Sequence, residues 1–107
     1  MTVARWLATR TPQPPDLLLK RISDALGDMA RRPAVDTSEV CLAAAEGIVS
    51  RLLHQGTDSR DQALDLLAAD SLVTYAFEAA SDRPEEMGDQ AARAMSRISR
   101  LAGSPRL

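Results

Sequence analysis

The sequence predicts an all-α fold: a four-helix bundle or array in up-down order, with a short extra N-terminal helix. Three observations carry this expectation. Proline and glycine clusters at Pro12–Pro15, Arg32-Pro33, Gly56-Thr57-Asp58, Asp82-Arg83-Pro84 and Gly103-Ser104-Pro105 divide the chain into stretches of helix length. Within those stretches apolar residues recur three and four apart, and no alternating β-rich run intervenes. Capping residues and carboxylates gather at the starts of the stretches, as helix N-termini favour.

Residues 2–10 form the short helix, anchored by Trp6 and Leu7 within about 1–10. The proline-rich turn over 11–15 follows, because a residue ahead of proline is pushed away from helical angles. Pro15 and Asp16 suit the first turn of the next helix. That helix, about 15–31, repeats Leu18, Ile22, Ala25, Leu26 and Met29 on one stripe, with Lys20, Arg21, Asp24 and Asp28 facing away. Gly27 costs its interior about 1 kcal/mol relative to Ala, or lets another helix approach closely. Asp36 and Glu39 make a capping box for a third helix over 37–55, which Gly56 ends as a left-handed cap. Its apolar set, Val40, Cys41, Ala44, Ala45, Ile48, Val49, Leu52 and Leu53, is wider than one stripe. Ala43 to Ala45 with Gly47 offer a smooth, close-packing surface.

Ser59 and Gln62 open a fourth helix over 60–81, roughly 33 Å long. Leu66, Val73 and Phe77 fall on one face of it; Leu64, Ala68, Leu72, Tyr75 and Ala79 fall on another. So much apolar circumference implies a helix that is central, or covered by a partner. The fifth helix, about 85–102, has a single stripe of Met87, Ala91, Ala94, Met95, Ile98, Leu101 and Ala102. Glu85, Glu86 and Asp89 precede Arg97 and Arg100 along it, in the order the helix dipole favours. Residues 103–107 are a frayed tail. Short connections make consecutive helices antiparallel, and 107 residues suit a single helical domain over 1–107.

The composition excludes several classes. One cysteine allows no internal disulfide, and one histidine allows no histidine-rich metal site within a chain. The net charge of −2 is not that of a general polyanion binder. Charge is segregated, however. Residues 1–35 hold six basic and three acidic residues, 36–89 three and twelve, and 90–107 four and none. Basic ends around an acidic middle suggest that the ends fold back on that middle, in the same chain or in a second copy. Met1–Thr9 lacks the apolar run of a signal peptide, and no stretch approaches the roughly 18–20 apolar residues of a membrane span. The expected location is cytoplasmic, with Cys41 a reduced thiol and no membrane insertion.

Chemistry-bearing patterns are sparse in the sequence. The five glycines are scattered and form no phosphate loop; there is no Cys pair and no Glu-x-x-His or His-x-x-x-His pattern. Cys41 and His54 stand thirteen residues apart on one predicted helix, about 20 Å along its axis, too far to work as a pair. No catalytic residue, cofactor or metal is therefore expected. Asp61 and Asp65, one turn apart, read as a solvated face. Asp70 is the most suggestive residue: mid-helix among leucines and alanines, it shares a face with Thr74 and Glu78. If buried it needs a partner, and Arg21, Arg93 or Arg97 could supply one.

The segment Leu66-Leu67-Ala68-Ala69-Asp70-Ser71-Leu72-Val73-Thr74-Tyr75-Ala76-Phe77-Glu78 is similar to a core helix of trans-isoprenyl diphosphate synthases, with Ala-Asp-Ser-Leu where that family has Gly/Ala-Asp-Ala-Leu, then Ala-Phe-Glu. The likeness covers thirteen residues of 107, and the family's Asp-rich Mg²⁺ motifs are absent. What it implies is a shared way of packing helices and no catalytic role.

The leading functional expectation is a non-enzymatic small helical protein acting through protein–protein contact, as a homo-oligomer or accessory subunit. The third and fourth helices carry more apolar surface than one chain easily covers. The candidate interface or ligand groove comprises Leu66, Asp70, Leu72, Val73, Thr74, Tyr75, Phe77 and Glu78. An alternative is a small-molecule-binding bundle with an apolar cavity near Leu66, Leu72, Tyr75 and Phe77, oriented by Asp70. A further alternative, nucleic-acid binding, rests on a basic face of Arg93, Arg97 and Arg100; without aromatics or net positive charge, a nucleic-acid partner is the least expected.

Overall fold

A computed structural model of the chain describes residues 1–55, 60–82 and 87–101, and these are all-α. The helices are α1 (Val3–Ala8), α2 (Asp16–Leu26), α3 (Thr37–Gln55), α4 (Arg60–Ala80) and α5 (Met87–Leu101). Two 3₁₀ turns, Gly27–Arg31 and Ala34–Asp36, join α2 to α3. Among the described residues the one extended pairing is an isolated antiparallel bridge between Thr2 and Pro33. The expected cap at Gly56, the capping Ser59, the Arg83-Pro84 break, Glu85, Glu86 and the tail at 103–107 lie outside the described residues, as do the side chains of Met87 and Asp89.

Local chemistry sets most boundaries. Thr2 caps α1 by accepting the Arg5 N–H at 3.2 Å, and the Thr9 hydroxyl closes it by donating to the Trp6 carbonyl at 2.6 Å. Pro15 has no N–H to lose ahead of α2, and Asp16 stands in the first turn. That helix ends at Leu26, five residues before the expected end, because Gly27 takes φ +53°, a left-handed angle that breaks the helical path. No atom lies within 4 Å of where its Cβ would be, so this glycine serves backbone conformation and not close packing. Asp36 and Glu39 hold arginines. Asp36 accepts from Arg32 at 2.9 Å, and Glu39 meets Arg93 and Arg97 at 3.5 and 3.2 Å. At the start of α3, the Thr37 hydroxyl donates to the Ala34 carbonyl at 2.7 Å.

Helices α3 and α4 make the most extensive contact in the chain. They form a hairpin: Gln62 donates to Gln55 near the closed end, and Ser38 and Glu39 share a cavity with Ala79 and Ala80 at the other. Helix α2 packs on both, α5 packs on both, and α1 lies against the 3₁₀ turns and α3. The N-terminal strand of chain is tied down by two backbone bonds, Val3 N–H to the Arg32 carbonyl and Ala34 N–H to the Met1 carbonyl. This seats Val3, with Trp6, as the buried anchors of α1; Leu7 is only half-buried.

The faces of α4 differ from the expected ones. Its buried stripe is Asp65, Ala68, Ala69, Leu72, Ala76 and Ala80, while Leu66 and Leu67 point to solvent. Alanines at three- and four-residue spacing let α3 come close, and that proximity, not side-chain size, decides which face is inside. On α3, Leu42 joins Val40, Cys41, Ala45 and Ile48 in the core, and Leu53 is exposed. Ala43 and Gly47 also face outward, so the smooth surface expected over 43–47 narrows to Ala44 and Ala45. Met29 sits in a 3₁₀ turn and is exposed.

Candidate functional site

The stripe Asp70, Thr74 and Glu78 lines one wall of a polar groove of about 500 Å³. Four-residue spacing on α4 stacks the three side chains along the wall, and Thr74 donates to the Asp70 carbonyl at 3.0 Å. The facing wall is the Thr9–Pro12 turn, with Ser71 and Tyr75 completing the lining. Gln13 fixes this turn by donating to the carbonyls of Leu7 and Arg10 at 3.0 and 2.5 Å.

Arg10 is the one cation among the lining residues. Its guanidinium carbon lies 4.3 Å over the Trp6 ring, and its Nε and Nη2 reach the Thr9 hydroxyl at 3.4 and 3.3 Å. Its Nη1 stands 3.9 Å from Glu78, beyond a direct hydrogen bond. Trp6 in turn meets Tyr75 edge-on, with ring centroids 6.3 Å apart. Burial pushes the Tyr75 phenol up, and the Glu78 charge adds to this.

Sequence reasoning places Asp70, Thr74, Tyr75 and Glu78 in one group, and the structure brings these four together. Leu72 is 0% exposed in the core, Leu66 is 60% exposed on another face, and Val73 and Phe77 pack partly against the core. Leu66, Leu72 and Phe77 line neither that polar groove nor the apolar pocket beside α1 and α2 that Tyr75 also borders. Asp70 is exposed and pairs with none of Arg21, Arg93 and Arg97.

The buried carboxylate is Asp65 instead, 6% exposed, where a solvated face was expected. It accepts from Arg21 of α2 at 2.6 Å and from Arg51 of α3 at 3.3 Å, so one carboxylate ties three helices. The hydrogen bond to Asp65 holds the Arg21 guanidinium above its ordinary pKa, with Asp61, 3.6 Å away, adding its charge. The signal that could have found it is positional: Asp65 stands three and four residues before Ala68 and Ala69, on the alanine stripe.

The basic face is partly neutralised. Arg93 and Arg97 both meet Glu39, and Arg100 is exposed. Arg10 with Glu78, Arg21 with Asp61 and Asp65, and Arg93 and Arg97 with Glu39 all join a basic end of the chain to its acidic middle. Part of the charge segregation is thus met within one chain.

Cys41 and His54 occupy the same continuous helix. His54 Nδ1 lies 2.7 Å from the Ser50 carbonyl, one turn back. Cys41 is fully buried, and burial pushes its thiol up to about 12. Two results follow. A thiol reagent leaves the native protein unlabelled near pH 8 and labels it once denatured. Because the folded-state pKa is raised from 9.0, the unfolded chain ionises first, so this group removes stability as pH rises from about 9 to about 12 and contributes no change below. Denaturation midpoints across that range, with Cys41→Ala as reference, measure it.

Among the described residues no three His, Cys, Asp or Glu side chains gather as a metal cluster, and no helix is long and apolar enough to cross a membrane. No protein-family model matches the chain, and neither a curated protein nor a solved structure matches it.

Proposed function

We propose that the chain is a non-catalytic helical protein that works through protein contact, with α2–α5 arranged as an up-down four-helix bundle and a second copy as its partner. The supporting observation is the seating of α5. This helix packs inward through Ala94 and half-buried Leu101, not through the centre of its apolar stripe. Met95 is 67% exposed, Ile98 is 47% exposed, and Ala91 is exposed beside them. The steps of four and three residues between these positions match a helix-on-helix seam. The contact surface thereby shifts from α4, whose Leu72 and Ala76 are inside, to α5.

Charge order favours a second copy in antiparallel register. In the sequence Glu85, Glu86 and Asp89 precede Arg93, Arg97 and Arg100. Antiparallel order sets this acidic part of the sequence against the basic part of the other copy, where Arg100 is exposed and outside the Glu39 pairs, whereas parallel order opposes like charges. With Met95 67% and Ile98 47% exposed, burying what remains on both copies yields about 5 kcal/mol gross, at about 2 kcal/mol per fully exposed side chain. The loss of translational and rotational freedom opposes this, so from these side chains alone the association is weak, no tighter than about millimolar.

Light scattering over a concentration series tests it. The wild-type chain is expected to gain mass toward two copies at millimolar concentration, and Met95→Glu with Ile98→Glu to stay at the mass of one with unchanged helical circular dichroism. A wild-type chain monomeric throughout, or a variant that still pairs, overturns the reading.

A further inference from the structure

The groove between α4 and the Thr9–Pro12 turn has chemistry that the contact surface on α5 does not use. We propose that it binds a zwitterion whose ammonium and carboxylate stand about 10 Å apart, the span of an extended tripeptide. The argument begins with Arg10. Its plane is held on Trp6, and its Nε and Nη2 are engaged by the Thr9 hydroxyl. Nη1 faces Glu78 from 3.9 Å, too long for a direct hydrogen bond, so an incoming carboxylate can compete with Glu78 for the guanidinium edge. A donor fixed in advance by a ring and a hydroxyl costs little further ordering when a ligand arrives.

The opposite end of the groove is anionic. Asp70 stands eight residues before Glu78 on α4, about 12 Å along the helix axis. It is exposed, and among the described residues it takes part in no ion pair. Between the two ends lie the hydroxyl residues Ser71, Thr74 and Tyr75, suited to the amide groups of a peptide backbone. A polycation is disfavoured by Arg10, and a polyanion by Asp70 and Glu78. A free α-amino acid carries its two charges too close together to reach both ends. An extended tripeptide places its terminal ammonium at Asp70 and its terminal carboxylate at Arg10, and the groove volume of about 500 Å³ holds it.

Glu78 sets the sign of one effect. It competes with the incoming carboxylate for Arg10, so neutralising it strengthens binding, whereas neutralising Asp70 weakens it. Titration of the ¹⁵N-labelled full chain with trialanine, read from the amide signals of Thr74 and Tyr75, tests the proposal. The expected result is saturable binding that falls about tenfold with N-acetyl-trialanine, about tenfold with trialanine amide, and further with free alanine. Asp70→Asn weakens trialanine binding while leaving N-acetyl-trialanine unchanged, and Glu78→Gln tightens it. Arg10→Gln weakens it as well, but that side chain also packs on Trp6, so the blocked peptides and Glu78→Gln supply readings independent of its folding. The proposal is overturned if trialanine moves no signal at its solubility limit, if blocked and free peptides bind equally, if alanine binds as tightly as trialanine, or if Glu78→Gln weakens binding.

Discussion

Asp65→Ala is expected to lower the unfolding free energy by about 2 kcal/mol, seen as a shift in urea midpoint with an unchanged slope. The carboxylate accepts from Arg21 at 2.6 Å and from Arg51 at 3.3 Å while only 6% exposed, so its removal deletes two charge-assisted hydrogen bonds at the junction of α2, α3 and α4. The loss stays moderate because both arginines reach water: their side chains are 29% and 54% exposed. A paired carboxylate in the interior is also costly to desolvate, so an apolar replacement of similar size regains much of what alanine loses. Asp65→Leu combined with Arg21→Met is therefore expected to lie closer to wild type than Asp65→Ala does. Asp24→Ala supplies the contrast. Its pair with Lys20, 3.0 Å long, lies on the surface, and its loss shifts stability by about 0.5 kcal/mol or less. Equal losses from Asp65→Ala and Asp24→Ala would show that the three-helix tie carries no weight.

Much of this architecture is legible in the residues alone, because helix ends are written in local chemistry. Thr2, Pro15, Thr37 and Arg60 lie at or next to the starts expected from caps, prolines and charge. Helix α2 stops short of 31 because of one backbone angle at Gly27, which the apolar stripe running on to Met29 conceals. Rotational orientation is harder to read. On α4 the bulky Leu66 and Leu67 suggest an inward face, yet the closeness of α3 selects the alanines. The same stripe carries Asp65 inside, and its partners Arg21 and Arg51 are 44 and 14 residues away in the chain, where no local pattern reveals them. Asp70, Thr74 and Glu78 are grouped by spacing on one element. The facing wall of their groove depends on how α1 and the proline turn are laid across α4, and this rests on long-range bonds from Met1 and Val3 to residues near 32–34.

Leu72→Ala is expected to cost about 3 kcal/mol, against about 0.5 kcal/mol or less for Leu66→Ala six residues earlier on the same helix. The two substitutions remove the same atoms from the same secondary structure, so their helix-propensity terms match and burial alone separates them. Leu72 is 0% exposed, and its deletion leaves a cavity among neighbours that are themselves close-packed. Leu66, 60% exposed, leaves only water. Paired thermal or urea unfolding measures the difference, and comparable losses at the two sites would contradict the orientation of α4. Ala76→Leu tests the same orientation with the opposite change in volume. Ala76 lies one turn beyond Leu72 on the buried stripe, where added methyl groups have nowhere to go without pushing neighbouring helices apart, at a cost of about 1–3 kcal/mol. A helix that loses stability when its leucine shrinks and also when its alanine grows is held by fit to a close neighbour. That fit is why a stripe made mostly of alanine can be the inner face of the longest helix in the chain.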